Sequence, residues 1–414
     1  QSLNIELVFR PGSELPEEVV VDLSRRSDEW NGSISLASHD HTFAGSTTID
    51  VSGLLRAKAK FRFPDGPWIY DSSPYAYFLV DPAATMEVRS YTFYPGSNGT
   101  IREGWIPSIR RIAQLGYNTI HLLPVTKMGP SQSPYSAADL FQIDPAYSHA
   151  QNPEDRMDEF REFVAECIKH GVRICIDLVM NHVAVESVIA NKHPDWLAED
   201  PSEADGIKRS GWHDGHKWHK WEDLAFLNYK GFSERTRSGL WEYITKYALT
   251  WSSFAAETGG MIRLDNLHSS SPEFMRAVLQ EIRRNFPDIV VFAELFTTEE
   301  KTVHLTFEYG LNLLLATTWE HKFVPQLRRY LEFIHSGNTS LRYLSPVTTH
   351  DSRTPTQEFG NVRSTIPRLV MATLMSPGPS GIVQGVEMGL PEKMMFVGAP
   401  KKREFLPTMD FSDL

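Results

Sequence analysis

An α/β fold is predicted for this 414-residue chain: a (β/α)8 TIM barrel preceded by a β-sandwich and interrupted by a long insertion after its third strand. Three observations lead there. Apolar runs such as "VRICIDLVM", "MIRLD" and "DIVVFAEL" each follow a segment with helical spacing, and helices alternating with uniformly apolar strands imply a parallel sheet. These runs end on charge, as strands do when their C-terminal ends line one mouth. Residues 2–89 instead carry short alternating runs broken by turn residues, the punctuation of a small all-β unit. A doubly wound sheet is disfavoured because no glycine-rich phosphate loop follows the first strand.

Along the chain, "NIELVF", "EEVVVDL" and "AKAKFRF" alternate apolar with charged residues, so residues 1–90 read as the sandwich. The barrel is assigned 91–414. Within it "IPSIRRIAQLG" is a helix leading to the strand "YNTIHLLPV", and "MDEFREFVAECIKHG" puts Phe160, Phe163, Val164, Cys167 and Ile168 on one face before Gly171 ends it. "GLWEYITKYALTWSSFAAETGG" and "SPEFMRAVLQEIRRNF" are further helices, and "YLSPVTTH" and "SGIVQG" further buried strands. Between "VRICIDLVM" and "GLWEYITKYALTWSSFAAETGG", about 183–229 is far longer than a usual strand-to-helix loop and rich in His and Trp. Its "HDGHKWHKW" has no cysteine and no ligand spacing of a structural zinc site, so no metal is assigned and the tryptophans read as sugar platforms.

A net charge of -11 argues against nucleic acid or an anionic membrane as partner. Cys167 and Cys175 are the only cysteines and are expected to be buried thiols. No apolar stretch reaches membrane-spanning length and no leader pattern opens the chain, which begins on Gln1; the cytoplasm is the expected compartment, with a processed or secreted form the alternative.

The strand ends carry the chemistry. Asp177 with Asn181 and His182, Arg263 with Asp265, Glu294, and His350 with Asp351 each close an apolar run, and a parallel barrel would gather them at one pocket. Cleavage of a glycosidic bond needs such a set: a carboxylate to attack the anomeric carbon and an acid to protonate the departing oxygen. Asp265 suits the nucleophile, since Arg263 two residues earlier would keep it ionised. Glu294 follows Phe292 and Ala293, an apolar setting that favours a protonated acid. His182 and His350 suit sugar hydroxyls, and Asp351 the hydroxyls beside the anomeric centre.

The blocks "DLVMNH", "MIRLDNLH", "FAELF" and "TTHD" resemble, in order and spacing, the four signature regions of the α-amylase family, glycoside hydrolase family 13. The resemblance, over about 91–394, implies Asp265 as nucleophile, Glu294 as general acid/base and Asp351 as transition-state stabiliser. It also implies that Tyr135 stacks on the donor sugar, with Asp139 following it, and that no organic cofactor is needed. Members often bind calcium through the asparagine matched by Asn181, but no set of oxygen ligands is legible here. "RLDNLHSS" and "VVFAELFTTEE" resemble the glucanotransferase half of glycogen debranching enzymes; "HPDWLAED" is similar, more weakly, to maltose-1-phosphate maltosyltransferases. The latter usually depart from the Asn-His and His-Asp pairs that this chain keeps. The expected function is therefore 4-α-glucanotransferase on α-glucan oligosaccharides or polysaccharides, with Asn266 and His268 facing the acceptor. An amylase-type hydrolase is the near alternative, and a non-catalytic carbohydrate-binding member the alternative of another class.

Overall fold

The computed structural model describes residues 2–9, 14–25, 30–213, 216–335, 341–376 and 378–396. Its first seven strands are β1 (Ser2–Val8), β2 (Glu18–Arg25), β3 (Asn31–His39), β4 (Thr42–Thr48), β5 (Gly53–Arg62), β6 (Trp68–Tyr70) and β7 (Ala76–Val80). They run antiparallel in the order β1-β4-β3-β2-β5-β6, with β7 also on β5. Residues 31–36 of β3 pair with β2 and 37–39 with β4. The two layers of the expected sandwich are thus one hydrogen-bonded path turned at β3. Leu3, Ile5 and Leu7 close over the core that Val19, Val21, Leu23 and Leu55 supply from the other layer.

The barrel begins with β8 (Arg89–Phe93) and β9 (Thr119–Leu122). An excursion forms the hairpin β10 (Thr126–Met128) and β11 (Ala137–Ile143) before β12 (Arg173–Leu178). The insertion holds β13 (His182–Ala184), β14 (Arg209–His213) and β15 (Trp218–Phe226), an antiparallel sheet in the order β13-β15-β14. The wall is completed by β16 (Met261–Leu264), β17 (Val290–Ala293), β18 (Leu313–Leu315), β19 (Tyr343–Pro346) and β20 (Ser380–Val383). These eight parallel strands close when β20 pairs with β8. Every second residue points inward, so Cys175, Met261, Val290, Phe292, Leu313 and Leu344 fill the interior as one buried cluster.

Helices seal the outside. Pro153–Lys169 starts on an Asn152 cap and buries Phe160, Phe163, Val164 and Cys167; Ile168, expected on that face, is 50% exposed because it falls beyond the edge of the buried stripe. Both cysteines are free and buried. Glu234–Glu257 starts on a Ser233/Thr236 capping box and anchors Trp251, whose indole N–H donates to the Leu140 carbonyl at 2.7 Å. Burying such a side chain stabilises the fold by about 2 kcal/mol or more. The helix hands over to β16 through Gly260, where a Cβ would lie 2.2 Å from the Ile174 carbonyl oxygen, so only glycine allows the strands to approach.

The N-terminal sheet meets the barrel at the start of its strands. Ser52 Oγ donates to Pro287 O and Asp288 Oδ1, both at 2.7 Å, and Asp81 accepts from Asn312 Nδ2 at 2.9 Å and pairs with Arg342 at 2.6 Å. Pro287, Asp288 and Asn312 precede β17 and β18, so this sheet sits at the end opposite the mouth. Among the described residues no helix is long and apolar enough to cross a membrane.

Candidate active site

Register assembles the mouth. Asp177 of β12 lies level with Arg263 of β16, which lies level with Phe292 of β17, so these side chains share one inward layer. The ladder continues one step past each strand: Asp265 N–H donates to Leu178 O at 3.2 Å and Glu294 N–H to Leu264 O at 3.1 Å. Both carboxylates are thereby placed above the layer that holds Arg263.

One guanidinium ties the cluster together. Arg263 Nη1 donates to both Asp177 oxygens, at 2.9 and 2.8 Å, and to Asp265 Oδ1 at 3.0 Å, while Nη2 pairs with Glu294 Oε2 at 3.0 Å. Glu294 Oε2 also accepts from the Asn266 backbone N–H at 2.9 Å. Glu294 thus has two polar partners, Arg263 and the Asn266 N–H, besides the apolar setting expected for it. Asp177 accepts in addition from Tyr135 Oη at 2.9 Å and lies 3.1 Å from His121 Nε2. Tyr135 Oη is 2.8 Å from His350 Nε2, and that nitrogen is 3.1 Å from Asp351 Oδ2.

A single cation shared by three carboxylates cannot serve them equally. Burial alone would raise the Asp177 carboxyl, but Arg263 and His121 overcome it and hold Asp177 well below the usual range. Asp265 goes the other way: burial, then the negative charges of Glu294 and Asp177, push it well above the usual range despite Arg263. Arg263 acts in the expected direction, favouring the charged form of Asp265, but burial and the neighbouring charges outweigh it. Arg263 spends two of its contacts on Asp177 and one on Glu294, and the remaining one does not offset the burial of Asp265. Burial also keeps two histidines neutral: His350 is pushed down to about 3 and His182 to about 4.

A family model described as "Glycogen debranching enzyme, glucanotransferase domain" matches residues 86–198. The alpha-1,4-glucan:maltose-1-phosphate maltosyltransferase of Rhodospirillum rubrum is 27% identical over 279 residues, covering 62% of this chain and 38% of the relative. Maltosyltransferase 1 of Streptomyces coelicolor is 23% identical over 415 residues, covering 93% of this chain and 58% of the relative. The chain thus spans well under two thirds of either enzyme. Among solved structures, an alpha-amylase from Lactobacillus plantarum superposes with a TM-score of 0.61 at 18% identity, over 76% of this chain and 75% of that one. The Nostoc punctiforme debranching enzyme gives 0.58 at 15%, over 76% and 77%. At these identities the superpositions carry the fold alone.

The chain resembles the α-amylase family, glycoside hydrolase family 13. Its amylase-type barrel brings Asp265, Glu294, Arg263, Tyr135 and His350 into one bonded network, with Asp351 at its edge through His350 and more than half exposed. Tyr135 stacks parallel to His350 with ring centroids 5.5 Å apart, and Phe396 packs edge-on to both. His182 is fully buried beneath, its Nε2 3.2 Å from the Tyr135 carbonyl. Asn266 is buried in a left-handed conformation, φ 47°, which turns its N–H onto Glu294. His268 is exposed, with its ring 5.9 Å from Phe296. Asp139 lies apart from the network: its carboxylate accepts from Phe141 N–H and Gln142 Nε2 on β11.

Asp177 is legible in the sequence as a strand end but with no role of its own, and two further contributors are not singled out there. His121, buried between Thr92 Oγ1 at 3.1 Å and Asp177, looked like one polar residue in the apolar run "YNTIHLLPV". Phe396 follows the last barrel strand with no pattern of its own.

Asn181 Oδ1 is buried without a hydrogen-bond partner, and its Nδ2 reaches Asn266 O at 3.5 Å. Calcium takes six to eight oxygens, and among the described residues no group of three or more His, Cys, Asp or Glu could hold a metal ion. One orphan acceptor is not such a cage.

Proposed function

We propose that this chain is a retaining α-glucan-active enzyme, and specifically a 4-α-glucanotransferase. The observation that carries the reading is the pair of carboxyls, Asp265 and Glu294, held on the two terminal nitrogens of Arg263. Retaining glycosidases keep their two carboxyls about 5 Å apart, too close for an interposed water, and a shared guanidinium favours that spacing. In the first step Asp265 attacks the anomeric carbon, the bond to the leaving oxygen breaks, and Glu294 gives that oxygen its proton. In the second an acceptor hydroxyl attacks the same carbon, Glu294 takes the hydroxyl proton, and the bond to Asp265 breaks. Asp351, with His350 behind it, is assigned to the hydroxyls beside the anomeric centre, and Tyr135 to the donor sugar. Asn266 holds Glu294 through its backbone, and His268 lies on the loop where an acceptor would enter. Transfer is preferred to hydrolysis because the relatives and the matched family model are named as transferases.

The test is incubation with maltotriose, sizing the products and counting reducing ends. Longer and shorter chains with constant reducing ends support transfer. Rising reducing ends would make the enzyme a hydrolase, and unchanged maltotriose would overturn the reading.

A further inference from the structure

After β20 the chain turns at Gly385 and Gly389, both left-handed at φ 93° and 67°, and comes back to the strand-end cluster. Its root is fastened to the loop after β19: Thr354 Oγ1 donates to Leu390 O at 3.0 Å and Thr356 Oγ1 to Gly389 O at 3.3 Å. Beyond the root, residues 391–396 form neither helix nor strand, and Pro391, Glu392 and Met395 are exposed. Lys393 ties them down with its N–H to Gln357 Oε1 at 3.4 Å and its Nζ to Asp351 O at 2.9 Å. A stretch so exposed, with so little regular hydrogen bonding, opens at low cost.

A ring closes the arrangement. Phe396 lies, centroid to centroid, 5.8 Å from Tyr135, 5.3 Å from His350 and 6.5 Å from Tyr94, and it crosses the first two at 75° and 72°. Tyr135 and His350 are within 5° of parallel, so a sugar brought against this pair meets the Phe396 ring. The closed arrangement also carries a penalty. The Tyr94 hydroxyl is buried and has no hydrogen-bond partner among the described residues, and a buried orphan of this kind works against the state that contains it.

We infer that residues 391–396 are an autoinhibitory strap: Phe396 covers Tyr135 and His350 in the resting enzyme, and substrate enters when the strap swings out about its root at Gly389 and Leu390. The inference rests on the function proposed above, which gives Tyr135 and His350 to the donor sugar. Closure is weak, since the ring contacts and the Lys393 tether are set against the orphaned Tyr94 hydroxyl. A strap closed about twice as often as open leaves about one third of the enzyme competent, and so raises the apparent Kd about three-fold.

The experiment is calorimetric titration with maltotriose of the full chain carrying Glu294→Gln, so that nothing is turned over. Adding Phe396→Ala, which removes the covering ring, should tighten binding about three-fold. Adding Lys393→Ala instead cuts the tether to Asp351, leaves the ring, and should shift the affinity in the same direction. Trypsin reads the strap without altering it. Cleavage after Lys393, identified by mass, tracks the open population and should accelerate by as much as about three-fold when maltotriose saturates the site. Unchanged or weaker affinity in either variant overturns the inference, because the ring is then a wall of the site or outside it. Cleavage that maltotriose slows or leaves unchanged overturns it too. If the unmodified chain transfers no glucan while both readouts behave as stated, the proposed function falls and the strap stands. If it transfers glucan and either readout fails, the strap falls alone. Maltotriose that binds none of these forms overturns both.

Discussion

Replacing Arg263 by Gln is the most informative perturbation, because one buried cation holds three carboxylates. Arg263 and Asp177 are both almost inaccessible, with two contacts of 2.8 and 2.9 Å between them. Removing one partner of such a pair leaves an uncompensated buried charge, at a cost of about 3–5 kcal/mol. Tyr135 and His121 remain on Asp177 and keep the loss in that range. The sign of the pH dependence reverses. In the parent, Asp177 is held below its unfolded value, so its contribution is present above the usual carboxylate range and is lost as pH falls. In the variant its carboxyl rises above the unfolded value, so stability is retained at low pH and lost as pH rises. Urea unfolding should therefore show Arg263→Gln destabilised by about 3–5 kcal/mol at pH 7.5 and by less at pH 5. In an Asp177→Asn background the same replacement should cost at least about 2 kcal/mol less, because no Asp177 charge is then left buried without its partner. A loss under about 1 kcal/mol, or an equal loss in both backgrounds, would refute the account of Arg263 as the shared counter-charge.

Glu294→Gln removes one of the negative charges that raise Asp265, so with a maltosyl fluoride donor, which needs no acid, the acid limb of kcat/KM should move to lower pH; movement upwards contradicts the assignment. His182 is neutral when folded and protonated below about 6.5 when unfolded, so the parent should lose about 1.4 kcal/mol per pH unit relative to His182→Gln between pH 6.5 and about 4, read by urea titration. Phe396→Ala uncovers the edges of Tyr135 and His350 and should lower KM for maltotriose by about three-fold, equivalent to under 1 kcal/mol; an unchanged KM would place Phe396 outside the sugar's path. Burial pushes both thiols up, so Cys167 and Cys175 should react with a thiol reagent only as the chain unfolds.

Most of the barrel was legible because its strands are apolar on both faces. The exceptions are physical. In β8, "RSYTF", Ser90 and Thr92 are buried polar residues, and Thr92 serves His121, so the strand lacks an apolar run. In β18 only Leu313–Leu315 pair, too few residues for a period to declare itself. Strand-end chemistry was legible because parallel strands must deliver their C-terminal residues to one mouth. The contacts within it were not, since the bond from His121 to Asp177 joins residues 56 positions apart. The insertion's histidines show the same limit. His193 stacks on Trp196 with centroids 3.9 Å apart and His219 on Trp212 at 4.8 Å, a ring pairing that spacing alone did not reveal.

The raised carboxyl of Asp265 bears on catalysis as well as on pH. In the resting enzyme its charge is disfavoured by burial and by two anionic neighbours, which Arg263 does not outweigh. During the proposed displacement the sugar itself becomes positive at the anomeric centre, directly opposite that carboxylate. The low-polarity surroundings that penalise an unpaired charge strengthen a paired one. The interaction between Asp265 and the sugar is therefore worth most in the transition state and least in the resting enzyme, which is the condition for lowering a barrier rather than merely binding substrate. Asp177 supports this by holding Arg263 in place and taking most of its charge. A cation more available to Asp265 would stabilise the resting carboxylate and so reduce the gain on reaching the transition state.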